Sequence, residues 1–159
     1  MDHTTESAPQ ETVSRAESMA VVGIVPTYNN GSTVAEVVRG AREYLSAVIV
    51  VDDGSTDGSG AAAGAVEGVE VITLARNMGK GRALRAGFDR ARRRGFTHAL
   101  TIDADGQHLA RDIPSLLKRA AREPETLWIG NRVLSAGGSG QPVRSRFGAR
   151  FGAFWYRFH

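Results

Sequence analysis

Short apolar runs rich in Val, Ile and Leu alternate along this chain with longer stretches whose apolar positions recur every three or four residues. AVVGIV (20–25) predicts a first strand, closed by Pro26 and the turn residues TYNNGS. Ser32 suits the N-cap of a following helix. Beyond it Val34, Val37, Val38, Ala41, Tyr44 and Leu45 share one helical face. AVIVV (47–51) predicts a second strand, and the loop DDGSTDGSG leads into the small-residue helix AAAGAV. VEVITLA (69–75) is the third strand. After RNMG, the stretch KGRALRAGFDRARRRG places Ala83, Leu84, Gly87, Phe88 and Ala91 on its packed side. HALTID (98–103) predicts a fourth strand, IPSLLKRAAR a helix with Asp112 as its N-cap, and TLWIG (126–130) a fifth strand.

Strands written as unbroken apolar runs are buried on both faces. Separated by amphipathic helices, they predict an α/β, Rossmann-like fold: a mostly parallel sheet with helices on both faces. In such a sheet the C-terminal ends of the strands lie along one edge, where ligands bind. That edge would collect residues 26–30, 52–57, 76–80, 103–108 and 130–132, the most polar segments of the chain. A fold without a site would scatter such residues over both ends of the sheet.

Composition narrows the picture. With 159 residues, 42% of them hydrophobic, the chain is long enough for one domain with a sizeable core. Residues 1–18, rich in Ser, Thr and Glu, cannot repay the entropy of ordering and read as a flexible tail, so the fold should begin near Met19. The absence of cysteine excludes disulfide scaffolds, thiolate zinc sites and cysteine nucleophiles. Any metal must therefore sit on oxygen or imidazole. No apolar stretch approaches the ~20 residues that a membrane-spanning helix needs, and the N-terminus has no apolar secretory core. The expected location is cytoplasmic. The formal charge of +3 is unevenly spread, and residues 132–159 carry arginines and no acid. That basic, aromatic end suits an anionic partner, a membrane surface or nucleic acid, with a solvated helix face as the plain alternative.

Simple nucleotide motifs fail. VPTYNNGS lacks the G-x-G-x-x-G that a dinucleotide site needs after its first strand. A phosphate-binding reading of NMGKGR fails because Leu74 stands where the first glycine belongs and Gly81 replaces the Ser or Thr. A calcium loop starting at Asp53 would need glutamate at its twelfth position, which is Gly64. Asp103-Ala104-Asp105, at a strand exit, suits divalent-cation chemistry instead: carboxylates on alternate residues can offer oxygens to Mg2+ or Mn2+ while water and phosphate complete the shell. For an isolated pair, turn-forming aspartates are the commoner explanation. The convergence of four other polar loops on the same edge reverses that preference.

IVPTYNN, VVDDGSTDGS, RNMGKGRALRAG, TIDADGQH and WIGNRV, in this order and spacing, resemble the segments of family-2 glycosyltransferases with a GT-A fold, and most closely the dolichyl-phosphate mannosyltransferase-like branch. The resemblance covers residues 20 to about 135. It implies an inverting transfer of a sugar from a UDP- or GDP-linked donor with the help of Mg2+ or Mn2+, to a polyprenyl phosphate acceptor, with no nucleic acid as partner. Carried over by position, Pro26, Tyr28 and Asn30 would be the first nucleotide contacts, and Val51 and Asp53 would lie beside base and ribose. Asp103, Ala104 and Asp105 would form the donor site, Asp105 and Gln107 would hold the metal, and Arg132 would meet the diphosphate. Asp105 is thereby the residue expected to carry catalysis. Asn30 departs from the family pattern, which has glutamate there; a neutral amide can still bond a ribose hydroxyl with altered preference. A phosphate acceptor needs no general base, and none is assignable.

Structural readings stand beside several of these. Tyr28 could be a packed turn residue, Asp52 and Asp57 helix caps, Asn77 and Gly79 loop geometry, and Lys80 either a phosphate ligand or a solvated first-turn lysine. His108 reads as a loop residue rather than a catalyst. Family members continue past the GNR segment, so the chain ending at His159 reads as a catalytic domain cut short. This divides it into a tail (1–18), a nucleotide-sugar domain (19–135) and a basic aromatic segment (136–159) beginning the acceptor side. In that segment Phe147, Phe151, Phe154, Trp155 and Phe158 share a helical face flanked by Arg146, Arg150 and Arg157, suited to peripheral contact with the inner face of a membrane or to packing against further protein. The rival functions are a non-catalytic nucleotide-sugar-binding or scaffold protein and, more remotely, a phosphotransferase with an aspartate nucleophile. Gln107 opposes the second, standing where D-x-D-x-T/V needs Thr or Val.

Overall fold

The computed structural model of the chain describes residues 19–106, 110–122 and 155–157. Five strands, β1 (Val21–Thr27), β2 (Val48–Asp52), β3 (Val69–Thr73), β4 (His98–Thr101) and β5 (Trp155–Arg157), form one sheet in the order β3-β2-β1-β4-β5. The first four are parallel, and β5 is antiparallel to β4. The helices are α1 (Val34–Arg42), α2 (Ser59–Gly64), α3 (Lys80–Arg93) and α4 (Ile113–Arg122), the last entered through a 3-10 turn at Ala110–Asp112.

The period-2 alternation of the strands feeds two cores. Val25, Val48, Val50 and Leu100 join Val34, Val38 and Ala41 of α1, Ala63 of α2 and Ala120 of α4 on one face. Val22, Ile24, Ile49, Val51 and Ala99 meet Ala83 and Ala91 of α3 on the other. Each fully buried Val or Ile stabilises the fold by about 1.5–3 kcal/mol, which is why unbroken apolar runs make these strands. α3 lies close because Gly87 has no side chain: a Cβ there would stand 2.6 Å from Ile24 Cγ2 and 3.2 Å from Val51 Cγ2.

The connections decide where a site can form. From β1 through α1, β2 and α2 to β3 the chain steps one way across the sheet, keeping both helices on one face. The return from β3 to β4 crosses behind β1, so right-handed connection places α3 on the opposite face. This reversal opens a crevice beyond the C-terminal ends of β1 and β4.

Several expectations are corrected. Pro26 does not end β1; it pairs in register with Val51. Backbone groups of Gly23 and Thr27 bond toward β2, and that of Ile24 toward β4. By alternation Pro26 faces the β4 side, where strand pairing has already stopped at Ile24 and Thr101, so its missing N–H breaks no ladder bond. α1 starts after Thr33, not Ser32, and Tyr44 falls beyond its end and is exposed. Asp112 belongs to the 3-10 turn. The stretch TLWIG and residues 1–18 lie outside the described residues. Trp155–Arg157 is a strand, not part of a helical face, because the open side of β4 presents unpaired backbone groups that a three-residue segment can satisfy. The other aromatic positions of that segment lie outside the described residues. No helix among the described residues is long and apolar enough to cross a membrane.

Candidate active site

The crevice at the reversal is a cleft of about 320 Å3, walled by the ends of β1, β2 and β4 and the start of α3. Pro26, Thr27, Tyr28 and Asn30 come from β1 and its loop, Asp53 from the start of β2's exit loop, and Asn77, Gly79, Lys80 and Ala83 from the turn into α3 and its first residues. Asp103, Ala104 and Asp105 complete it from the turn after β4.

The β1–α1 loop is fastened to the β2–α2 loop rather than left to itself. Asn29 adopts a left-handed backbone (φ 53°), which an Asn tolerates. Its N–H donates to Ser55 Oγ at 3.0 Å, and Thr56 N–H donates back to Asn29 Oδ1 at 3.0 Å. Asn30 N–H donates to Ser59 Oγ (2.9 Å), whose hydroxyl donates in turn to Asp57 Oδ1 (2.5 Å). Gly31 N–H donates to Asp57 Oδ2 at 2.8 Å. The Ser59 hydroxyl, and then the Gly31 amide, hold the Asp57 carboxyl below the ordinary carboxylate range. Asp52 accepts Ser55 N–H at 2.9 Å and does not line the cleft. Both aspartates thus organise loops. Asn30 turns its amide onto the Tyr28 carbonyl at 3.0 Å, and Tyr28, 45% exposed, lines the cleft.

Asp53 is buried and bridges to the turn before α3. Its Oδ1 accepts Met78 N–H and its Oδ2 accepts Gly79 N–H, each at 2.8 Å. Next to it Gly54 (φ 73°) comes so close to that turn that a Cβ would lie 2.5 Å from the Arg76 carbonyl carbon; only glycine fits both the conformation and the space. The loop carrying Asn77 and Lys80 is therefore set by residues 53 and 54.

The Asp103-Ala104-Asp105 turn is anchored through its middle residue. Ala104 is buried in the core, and its carbonyl accepts the Thr33 hydroxyl at 2.7 Å. The flanking carboxylates line the cleft: Asp103 Oδ1 pairs with Lys80 Nζ at 2.5 Å, while Asp105 is exposed at the rim. Among the described residues no group of three His, Asp or Glu gathers as a metal cage. A set of at most two carboxylates is nevertheless the oxygen-only chemistry that suits Mg2+ or Mn2+, which keep positions for water and phosphate.

The structure brings Pro26, Tyr28, Asn30, Asp53, Asp103, Ala104 and Asp105 together in one cleft, as expected from the sequence. Val51 is the exception: its side chain is fully buried against α3 and does not reach the cleft. Its odd position in β2 sends it to the same core as Ile49. Gln107, His108 and Arg132 lie outside the described residues. Sequence reading missed Thr33, because nothing local signals that a helix-entry threonine bonds a carbonyl 71 residues away.

Comparison with known proteins agrees with this architecture. The family model for glycosyl transferase family 2 matches residues 24–158. Polyprenol monophosphomannose synthase of Mycolicibacterium smegmatis is 36% identical over 121 residues, covering 72% of this chain and 45% of that protein. Undecaprenyl-phosphate mannosyltransferase of Micrococcus luteus is 38% identical over 125 residues, covering 75% and 51%. The chain spans about half the length of these curated relatives. Among solved structures, glucosyl-3-phosphoglycerate synthase from Mycobacterium tuberculosis in complex with UDP shares the fold with a TM-score of 0.57 at 21% identity, over 76% of this chain and 47% of that one. The same enzyme with Mn2+, UDP-glucose and phosphoglyceric acid gives a TM-score of 0.54 at 22% identity, over 70% and 43%. The architecture is that of GT-A glycosyltransferases. With a match that runs from the first strand past the last, the chain belongs to glycosyl transferase family 2.

Proposed function

We propose that the cleft binds a nucleotide diphosphate sugar and that the chain serves an inverting, metal-dependent sugar transfer to a polyprenyl phosphate. The observation that carries this reading is the meeting of Tyr28, Asp53, Lys80 and the Asp103–Asp105 turn at the one point where the sheet reverses. The polyprenyl phosphate acceptor is drawn from the relatives, which are named for transfer to such lipids.

In this reading Pro26, Tyr28, Asn30 and Asp53 receive the nucleoside, with the exposed Tyr28 ring available to stack on a base. Asp103 and Asp105 face the diphosphate and sugar, and Asp105 with Gln107 would hold a Mg2+ or Mn2+. Such an ion, when bound, neutralises charge that develops on the departing nucleoside diphosphate. Lys80 keeps a cation beside Asp103, so the acidic turn does not face the donor phosphates as two uncompensated charges. Arg132 is assigned to the diphosphate by position. An anionic phosphate acceptor attacks without prior deprotonation. Peripheral membrane contact by the segment 136–159 would bring the chain to a lipid acceptor.

Calorimetry of UDP-glucose and GDP-mannose with and without Mn2+, on the wild-type chain and on Asp105→Asn, tests the donor site. The expected result is binding strengthened by Mn2+ and a loss of that increment in the variant. Metal-independent binding, or an unaffected variant, overturns the assignment.

A further inference from the structure

We propose that Thr33 is a positioning residue for the donor site: its hydroxyl fixes the Asp103-Ala104-Asp105 turn so that both carboxylates face the cleft. The inference rests on reading that cleft as the nucleotide-sugar site. Thr33 stands at the N-cap of α1 (φ −121°, ψ −29°), where a threonine ordinarily accepts an amide of the first turn. It makes no such bond. The Glu36 amide that it could have received is taken by its own backbone carbonyl at 3.1 Å. The hydroxyl instead turns away from its own helix and donates across the fold to Ala104 O at 2.7 Å. Its competing acceptor, the Asn30 carbonyl, is 3.4 Å away and already receives the amides of Thr33 and Val34. A hydroxyl has one hydrogen, and the shorter contact takes it.

The other branch of the side chain addresses the far end of the turn. Gly106, in the left-handed region at φ 72°, closes the turn, and a Cβ there would lie 3.8 Å from both Thr33 Cβ and Cγ2. The Thr33 side chain thus bonds the residue before Asp105 and lies near the residue after it. Ala104 is held in turn by its methyl, buried in the core cluster that contains Val34 and Val38. Since Asn30 O receives the first amides of this same segment, the proposed nucleotide loop and the acidic turn are tied through Thr33 into one unit.

Thr33→Val keeps the shape and removes the hydroxyl; Thr33→Ser keeps the hydroxyl and removes the methyl. Titration with UDP-glucose and GDP-mannose, with and without Mn2+, should show Thr33→Val weakening Mn2+-dependent binding about five- to tenfold, the effect of one lost hydrogen bond. Thr33→Ser should stay within about twofold of wild type. Amide hydrogen exchange at residues 104–106, read without any ligand, should speed up in the Val variant and not in the Ser variant. Equal behaviour of Val and wild type in both readouts overturns the proposal, as does equal loss in Val and Ser, which would show that keeping the hydroxyl does not preserve the turn. If wild type shows no Mn2+-dependent binding, the donor-site reading fails, and exchange in the Val and Ser variants still decides whether the hydroxyl holds the turn.

Discussion

Lys80 Nζ lies 2.5 Å from Asp103 Oδ1, joining the first residue of α3 to the acidic turn after β4 across the mouth of the cleft. The lysine side chain is 44% exposed, so the pair contributes at most about 1 kcal/mol to folding. Its value should lie in the site. Lys80→Met is expected to leave the urea midpoint nearly unchanged while weakening nucleotide-sugar binding about tenfold. In an Asp103→Asn background the same change should have a much smaller effect, because Lys80 acts through that carboxylate. Equal losses in both backgrounds would refute the coupling and point to a direct phosphate contact.

Asp53 has both oxygens engaged by the Met78 and Gly79 amides, and Asp53→Asn offers only one oxygen to two donors. The Gly79 N–H also reaches Asn77 Oδ1 at 3.0 Å, so the loss is that of one ordinary hydrogen bond, about 0.5–1.5 kcal/mol. The variant should lose that much stability in urea unfolding, with faster exchange at Met78 and Gly79. An unchanged midpoint would mean that the turn before α3 is held from elsewhere.

How far the sequence could be read follows the range of the forces involved. The strands β1 to β4 and the helices α1 and α3 were visible because burying a stripe of apolar side chains needs a local period, and that period is written in consecutive residues. The convergence of Tyr28, Asp53, Lys80 and Asp103 followed from parallel topology alone. What stayed hidden depends on neighbours distant in the chain. Pro26 survives inside β1 because β4 is short, and Val51 points into the core because of its parity in β2. The Thr33 hydroxyl chooses Ala104 over its own helix, and β5 exists because β4 had a free side. Asp53 and Asp57 hold loops because backbone amides distant in the chain reach their carboxylates, a distinction that no residue-type pattern contains.

Gly87→Ala opposes two effects of known size. Replacing a helical glycine by alanine gains about 1 kcal/mol from propensity, but the new methyl would sit 2.6 Å from Ile24 Cγ2, on a β-branched side chain fixed in a central strand. Overpacking of this kind costs about 1–3 kcal/mol, so a net destabilisation of up to about 2 kcal/mol is expected from denaturant unfolding. A more stable variant would show that α3 can move away from the sheet.

The Asp57 network gives the fold a dependence on acid. Its carboxyl is held below the ordinary value of 3.8 by the Ser59 hydroxyl first and the Gly31 amide second. Because the folded value is lower than the unfolded one, the charged carboxylate favours the folded state above about pH 4, and that contribution fades as the pH falls through the folded value. Asp57→Asn removes the charge at every pH. The variant should therefore be less stable than wild type at pH 7, with the gap between their urea midpoints closing as the pH falls from about 4 through the lowered folded value. A gap that stays constant across that window would mean that the bonds to Ser59 and Gly31 are made equally well by a neutral side chain, and that the charge on Asp57 has no part in holding the two loops together.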